Sequence, residues 1–151
     1  MSIVRLQDMR GWHDFHIIGY AASGRLSRLT FELEWPYDSS PPAPVGQLSF
    51  QGVESYFLEH DLGANIVYSF AEVPLRGFLE QWQSKFELEC RWGWPKFWRT
   101  TPHPPQPVEQ VLEEAFAYLS GKNVKCVELS SSYGLSGWVL ASAIEEPSFE
   151  A

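Results

Sequence analysis

The N-terminal half of the chain has the hydrophobic pattern of β-strands. From Arg25 to Trp35, apolar side chains alternate with threonine and glutamate, a period of two that is typical of a strand with one buried and one solvated face. Three further strands are predicted, over 14–21, 47–59 and 65–73. Gly52 is predicted to form a bulge where the alternation slips. The proline-rich run 36–46 predicts an exposed loop.

The clearest helical pattern lies in the C-terminal half. Apolar residues recur there along one face, which predicts an amphipathic helix over 108–120. Pro107 is tolerated at its first turn, and Gly121 ends it. The predicted apolar face consists of Val108, Val111, Leu112, Ala115, Phe116 and Leu119.

The segment 78–99 combines two patterns. The first apolar residues, from Phe78 to Phe86, share one face of a short helix, whereas those from Phe86 to Trp92 alternate as in a strand. The sequence therefore predicts a helical turn that runs into a strand at Phe86.

The fold class follows from these elements. Two more strands, over 124–130 and 136–145, are separated by a connection short enough for antiparallel pairing. We expect an α+β fold with a predominantly antiparallel sheet, arranged as a meander or sandwich-like, and one amphipathic helix packed on it. The 151 residues have the usual length of one domain, so 1–151 is predicted to be a single domain.

Charge and hydropathy argue against several classes of protein. The net charge of −8 argues against a nucleic-acid-binding protein, because phosphate contacts need a basic surface. No apolar stretch approaches the ~20 residues of a membrane span, and no signal peptide is visible at the N-terminus. We therefore expect a cytoplasmic protein in which Cys90 and Cys126 are reduced, buried thiols.

The densest polar cluster contains His13, Asp14 and His16. On a strand, Asp14 and His16 would share a face and His13 would lie on the other, so a metal site would need a further ligand such as His60 or Asp61. This spacing is not that of a zinc site, and we expect neither metal nor cofactor. Asp14 is interpreted as a turn residue at the start of the strand. His13 is interpreted as the donor or acceptor of a structural hydrogen bond.

Other catalytic combinations are not evident. The serines at 130–132 have no G-x-S-x-G elbow, and Glu32 and Glu34 fall on the solvent face of a strand. We therefore predict no catalytic residue. An enzyme centred on His13, Asp14 and His16 is kept as an alternative.

The segment 91–99, with the sequence RWGWPKFWR, is basic and aromatic within an acidic chain. Its rings could stack on sugars, pack as a corner of the core, or bind a protein, since Trp and Arg are frequent in interface hot spots. We predict that Trp94 and Trp98 project from the surface and bind a partner together with Arg99. Should the tryptophans be buried, the partner surface is expected on the acidic strand faces around Glu32, Glu34 and Glu54.

Three motifs occur in a characteristic order: WHDF at 12–15, FQGV at 50–53 and SYGLSG at 132–137. In this order they resemble the immunity protein 50 family of bacterial polymorphic toxin systems. Phe15 stands where alanine is usual in that family. The resemblance covers residues 12–73 and 124–146, so the tryptophan-rich segment lies outside it.

The resemblance implies a protein that binds and neutralises a cognate toxin without catalysis of its own. We therefore predict a non-catalytic interaction protein. The alternative is a small-ligand or carbohydrate-binding β-domain that uses the aromatic cluster 92–98. Gly134 and Gly137 would permit tight backbone geometry, and Tyr133 would close the sheet end against Trp12. The motif residues interpreted as structural are Trp12, His13, Asp14, Tyr133, Gly134 and Gly137.

Overall fold

The computed structural model describes residues 2–4, 9–37, 43–100 and 106–147. Within these residues, nine strands form one antiparallel sheet and two helices pack on it, which confirms the predicted α+β class. The strands are β1 (Ser2–Val4), β2 (His16–Ser23), β3 (Arg28–Trp35), β4 (Ala43–Gln51), β5 (Ser55–Glu59), β6 (Asn65–Val73), β7 (Lys125–Tyr133), β8 (Ser136–Ala141) and β9 (Ala143–Glu146). The helices are α1 (Leu75–Glu89) and α2 (Val108–Gly121), and one turn of 3-10 helix, Cys90–Trp92, follows α1.

The sheet has the order β1-β9-β4-β3-β2-β6-β7-β8-β5 and curls back towards itself. Only Ser142 separates β8 from β9, yet β8 pairs with β7 and β5, whereas β9 pairs with β4 and β1. The connection from β4 to β5 runs beside the junction of β8 and β9, because Gln51 pairs with Ala143 and Ser55 pairs with Leu140. The last strands therefore connect the two halves of the sheet.

The predicted strand 47–59 is interrupted where Gly52 was expected to form a bulge. Gly52 has a φ of 62°, and a Cβ there would lie 2.1 Å from the Ser142 Oγ, so glycine is required at this corner. The predicted loop 36–46 was too long at its C-terminal end, because β4 already begins at Ala43. Residues 38–42 lie outside the described part of the chain.

The first hydrophobic core lies on the inner face of the curled sheet. The alternation read from β3 is confirmed there, because Leu29, Phe31 and Leu33 are fully buried while Glu32 is exposed. Phe31 makes edge-on contacts with Phe50 of β4 and Phe70 of β6. Each such side chain contributes about 1.5–3 kcal/mol through removal from water.

The second core lies between the helices and the strands β5, β7 and β8. Helix α2 begins at Val108 as predicted and buries four residues of its apolar face: Val111, Leu112, Ala115 and Leu119. Phe116 is only partly buried, contrary to the prediction of a core position. It lies at the margin of the apolar face, where the Arg76 guanidinium covers its ring at 4.4 Å.

The predicted strand 86–92 is wrong, because α1 continues to Glu89 and the 3-10 turn follows it. Phe86 belongs to the helical face that begins at Phe78, and its ring is fully buried against Phe97 and Trp98. Leu88 and Trp92, which completed the strand-like alternation, are exposed. The packing of α1 thus overrides a short local pattern.

Both cysteines are free thiols, as predicted. Cys126 lies inside β7, where burial raises the pKa of its thiol. Cys90 is partly buried after α1, and its Sγ donates to the Glu87 carbonyl at 3.2 Å. Neither helix in the described part of the chain has the length and apolar composition needed to cross a membrane.

Candidate interaction surface

The WHDF motif forms a turn that joins its strand to β6. The Asp14 amide donates to the Val67 carbonyl at 2.9 Å, and the Val67 amide donates to the Phe15 carbonyl at the same distance. Trp12 and Asp14 both have positive φ, 58° and 66°. Asp14 therefore forms the predicted turn at the strand entrance.

The strand itself starts later than predicted, at His16 rather than Asp14. Asp14 and His16 consequently do not share a strand face, which corrects the arrangement expected from the sequence. The reason is the left-handed backbone at Trp12 and Asp14, which no alternation pattern shows.

The two histidines of this cluster have separate partners. His13 Nδ1 lies 2.9 Å from the Tyr68 carbonyl, which confirms its structural hydrogen bond, and its Nε2 lies 3.4 Å from Asp14 Oδ2. His16 Nε2 lies 3.2 Å from the Tyr37 hydroxyl. Among the described residues, no three His, Cys, Asp or Glu side chains are grouped closely enough to hold a metal ion.

Both glycines of the SYGLSG motif are required by the packing. Gly134 has a φ of 94°, and a Cβ there would lie 2.1 Å from Asn65 Oδ1. Gly137 has a φ of 155°, and a Cβ there would lie 1.8 Å from the Phe57 carbonyl oxygen. The buried Asn65 accepts from the Leu135 amide at 2.8 Å and so ties this turn to the start of β6. These two glycines are structural, as interpreted from the sequence.

Tyr133 does not close the sheet end as expected, since 57% of its surface is exposed while Trp12 is buried. Tyr133 pairs with Ile66 of β6, which in turn pairs with His16 of β2, so the three lie in one row across the outer face of the sheet. The row brings the first and last motifs of the sequence together.

Further aromatic side chains extend this row. Tyr68 of β6 is 60% exposed and makes an edge-on contact with His13, and the exposed Tyr37 makes one with His16. We call this surface the tyrosine face; it consists of His13, His16, Tyr37, Ile66, Tyr68 and Tyr133.

The tryptophan-rich segment is mostly part of the second core, which corrects the predicted exposure of its anchors. Trp98 is 2% exposed, and Trp94 is half-buried and stacks on Trp138 with a centroid distance of 6.0 Å. Arg99 is exposed, and its Nε donates to the Lys96 carbonyl. Trp92, which was not chosen as an anchor, is 74% exposed beneath the Arg91 guanidinium.

A second open region borders the tyrosine face at β2. Asp61 accepts from the Gly63 amide at 2.8 Å and from Asn65 Nδ2 at 3.0 Å, and these hydrogen bonds lower the pKa of its carboxyl. Burial, followed by the charge of the nearby Asp61, raises the pKa of Tyr20. Asp61 is therefore an ionised carboxylate beside an uncharged phenol.

The sequence reasoning missed the tyrosines other than Tyr133. All six tyrosines of the chain are among its exposed large side chains, whereas the buried aromatic residues of both cores are Trp and Phe. The residue type alone indicated their exposure, because a tyrosine side chain favours a position where its ring packs on apolar groups and its hydroxyl reaches water.

No protein-family model, curated protein or solved structure matches the chain. The resemblance to the immunity protein 50 family therefore stays a prediction based on the three motifs.

Proposed function

We propose that this protein is a non-catalytic interaction protein that binds a partner protein through the tyrosine face. Following the resemblance of its motifs, we further propose that the partner is a cognate bacterial toxin, which the protein neutralises in the cytoplasm. The observation that carries the proposal is the clustering of three exposed tyrosines, Tyr37, Tyr68 and Tyr133, with two histidines on one face of the sheet.

The composition of this face supports protein binding. Tyrosine is one of the residues enriched in interface hot spots, because its ring offers a large contact area at low cost in side-chain entropy. Tyr68 and Tyr133 lie on adjacent strands: Tyr133 pairs with Ile66, and Tyr68 lies at an irregularity of β6 where its carbonyl is 2.9 Å from His13 Nδ1. Such a surface is organised before the partner binds, which favours affinity.

The alternative functions have less support in the geometry. A carbohydrate site at 92–98 would require several exposed rings, but Phe97 and Trp98 are buried and Trp94 is half-buried. An enzyme centred on His13, Asp14 and His16 would require these groups to converge, whereas His16 hydrogen-bonds Tyr37 and His13 hydrogen-bonds the backbone of β6.

The proposal predicts a toxin gene beside the protein's own gene, and it is tested by co-expressing the two. Co-expression should rescue growth, and the purified pair should elute as one complex. Replacing Tyr68 and Tyr133 together with alanine should weaken binding by at least about 2 kcal/mol, the threshold of a hot spot, while the melting temperature stays unchanged. Tyr118→Ala, on α2, is the matched control. Equal binding by the double variant and the wild type would contradict this assignment of the surface.

A further inference from the structure

We propose that the free edge of β2, from Ile18 to Ser23, binds an extended segment of the partner protein as an additional strand, with a basic side chain of that segment beside Asp61. This inference rests on the function proposed above and specifies how the partner is held. The tyrosine face would then contact the body of the same partner.

Within the described part of the chain, this edge has no strand partner because β2 extends past its neighbour. Strand β3 pairs with β2 along its length, but on the other side the structure pairs described residues of β6 with β2 only at His16 and Ile17. Strand β6 begins at Asn65, level with Ile17, and a bulge at Ile18 coincides with the end of this pairing. Beyond it, the backbone N–H and C=O groups of β2 that do not pair with β3 have no strand partner among the described residues, which makes them a template for a further strand.

The sequence of this edge does not protect it. Natural edge strands are usually protected by lysine, proline or inward-pointing charges, but Ile18 to Ser23 reads IGYAAS and contains none of these. Gly19, Ala21 and Ala22 are small enough for a second backbone to approach closely. The edge therefore has the composition of a pairing surface.

There is room for a strand beside this edge. A pocket of about 400 Å³ opens between Ile18–Tyr20 and the loop that holds Asp61. A second pocket, of about 390 Å³, opens beside Ala22 and Ser23 and is bounded by Tyr56 of β5. The two pockets flank the two ends of the free edge, whose length of about 20 Å suits a short extended peptide.

The charges along the edge indicate what the peptide carries. Asp61 is fixed by hydrogen bonds from Gly63 and Asn65 and interacts with the Tyr20 hydroxyl, so a guanidinium or ammonium group could form a charge-assisted bond there. At the opposite end the pocket is lined by Arg28, Lys96, Lys122 and Glu54. Because Glu54 is paired with Lys122, the charges of Arg28 and Lys96 remain, which favours an acidic side chain. The occupant is therefore an extended segment with a basic residue near one end and an acidic residue near the other.

Random peptides displayed on phage and selected on the purified protein provide the probe. We expect the enriched peptides to combine β-branched residues with a basic and an acidic residue, and the best synthetic peptide to slow amide exchange from Ile18 to Ser23. Asp61→Asn keeps a side-chain oxygen for the loop but removes the charge, and should weaken the binding of this peptide about tenfold, because the charge-assisted hydrogen bond is lost. Glu109→Gln, on α2, should bind as the wild type does.

Three results would overturn the inference: no enriched peptide, exchange protection confined to other strands, or equal affinity for Asp61→Asn. A dimer in sedimentation that protects the same amides would assign the edge to a second copy instead, and would also overturn it. Failure of the proposed function is distinguishable, because the toxin can bind through the tyrosine face with the edge amides unprotected. Conversely, selected peptides can occupy the edge when no toxin binds the protein.

Discussion

Two regions of the sheet differ in how they are covered. Strands β5, β7 and β8 are covered by two helices, and Trp138 at their centre is 2% exposed among the rings of Phe57, Phe78, Trp82, Phe86 and Trp94. The distal half of β2 carries small residues and Tyr20, and nothing in the described structure pairs with its outer edge. Large aromatic side chains stabilise the first region, whereas the second keeps its backbone available.

This difference separates stability from recognition. Removing rings from the helix-covered region should unfold the protein, because densely packed aromatic contacts are lost together with buried area. Changes at the β2 edge should leave the fold intact and affect only what binds there. The following predictions test that separation, from the largest expected effect to the smallest.

The largest effect is expected for Trp138→Ala. The side chain fills the centre of the second core, so its removal should lower the free energy of unfolding by about 3–5 kcal/mol, measured by urea denaturation. Trp92→Ala, which removes an exposed ring, should change it by less than about 0.5 kcal/mol. Similar losses for both variants would show that the second core is not centred on Trp138.

Alanine substitution at glycine distinguishes the two regions directly. A Cβ at Gly137 would overlap the Phe57 carbonyl oxygen of β5, so Gly137→Ala should destabilise by about 1–3 kcal/mol or more. At Gly19, on the β2 edge, a Cβ would meet only the Glu32 carboxylate at 3.5 Å, an ordinary contact. Thermal melts should therefore show a lower midpoint for Gly137→Ala and an unchanged one for Gly19→Ala.

Phe116→Ala should have an intermediate effect, although it belongs to the apolar face of α2. The ring is only partly buried and is covered by Arg76, so we expect a loss of about 1–2 kcal/mol, below that of a fully buried phenylalanine. Leu119→Ala, at a fully buried position of the same helix, should cost about 2–5 kcal/mol in the same denaturation assay. The reverse order would mean that Phe116 belongs to the core.

The smallest effect concerns acid sensitivity at the β2 edge. The pKa of Asp61 lies below its ordinary value of 3.8, because Asn65 and Gly63 donate to the ionised carboxylate. A carboxyl whose pKa is lowered by folding stabilises the fold at a pH above its pKa in the unfolded chain. This contribution is lost as the pH falls through the pKa in the folded protein. Wild type should therefore lose more stability than Asp61→Asn as the pH is lowered below 4. Parallel pH profiles of the two proteins would contradict this.

Elements with a sustained period were read correctly from the sequence. The alternation of β3 and the apolar face of α2 are set by residues close in the chain, so local periodicity was enough to predict them. The strand predicted at 86–92 is wrong, because a short alternating pattern stabilises a strand less than the packing of Phe86 in the second core stabilises α1. The start of β2 was displaced by positive φ at Trp12 and Asp14, which leaves no trace in hydropathy.

The candidate surfaces were harder to predict from the sequence than the fold. Tyr133 and His13 were selected from motifs, but only the pairing of β7, β6 and β2 places them near one another. The choice of Trp98 as an exposed anchor was wrong because burial depends on the covering element, and α1 with α2 covers that segment. The free edge of β2 follows from where β6 begins, which is a property of the sheet as a whole.

The sequence by itself determined the α+β class, the antiparallel pairing of its strands and the boundaries of α2. These depend on periodicity, turn chemistry and backbone sterics, which act over a few residues. Only the tertiary structure decided which aromatic rings became core and which became surface, and which strand kept a free edge. Those outcomes depend on contacts between residues far apart in the chain, because a side chain is buried only when another element packs over it.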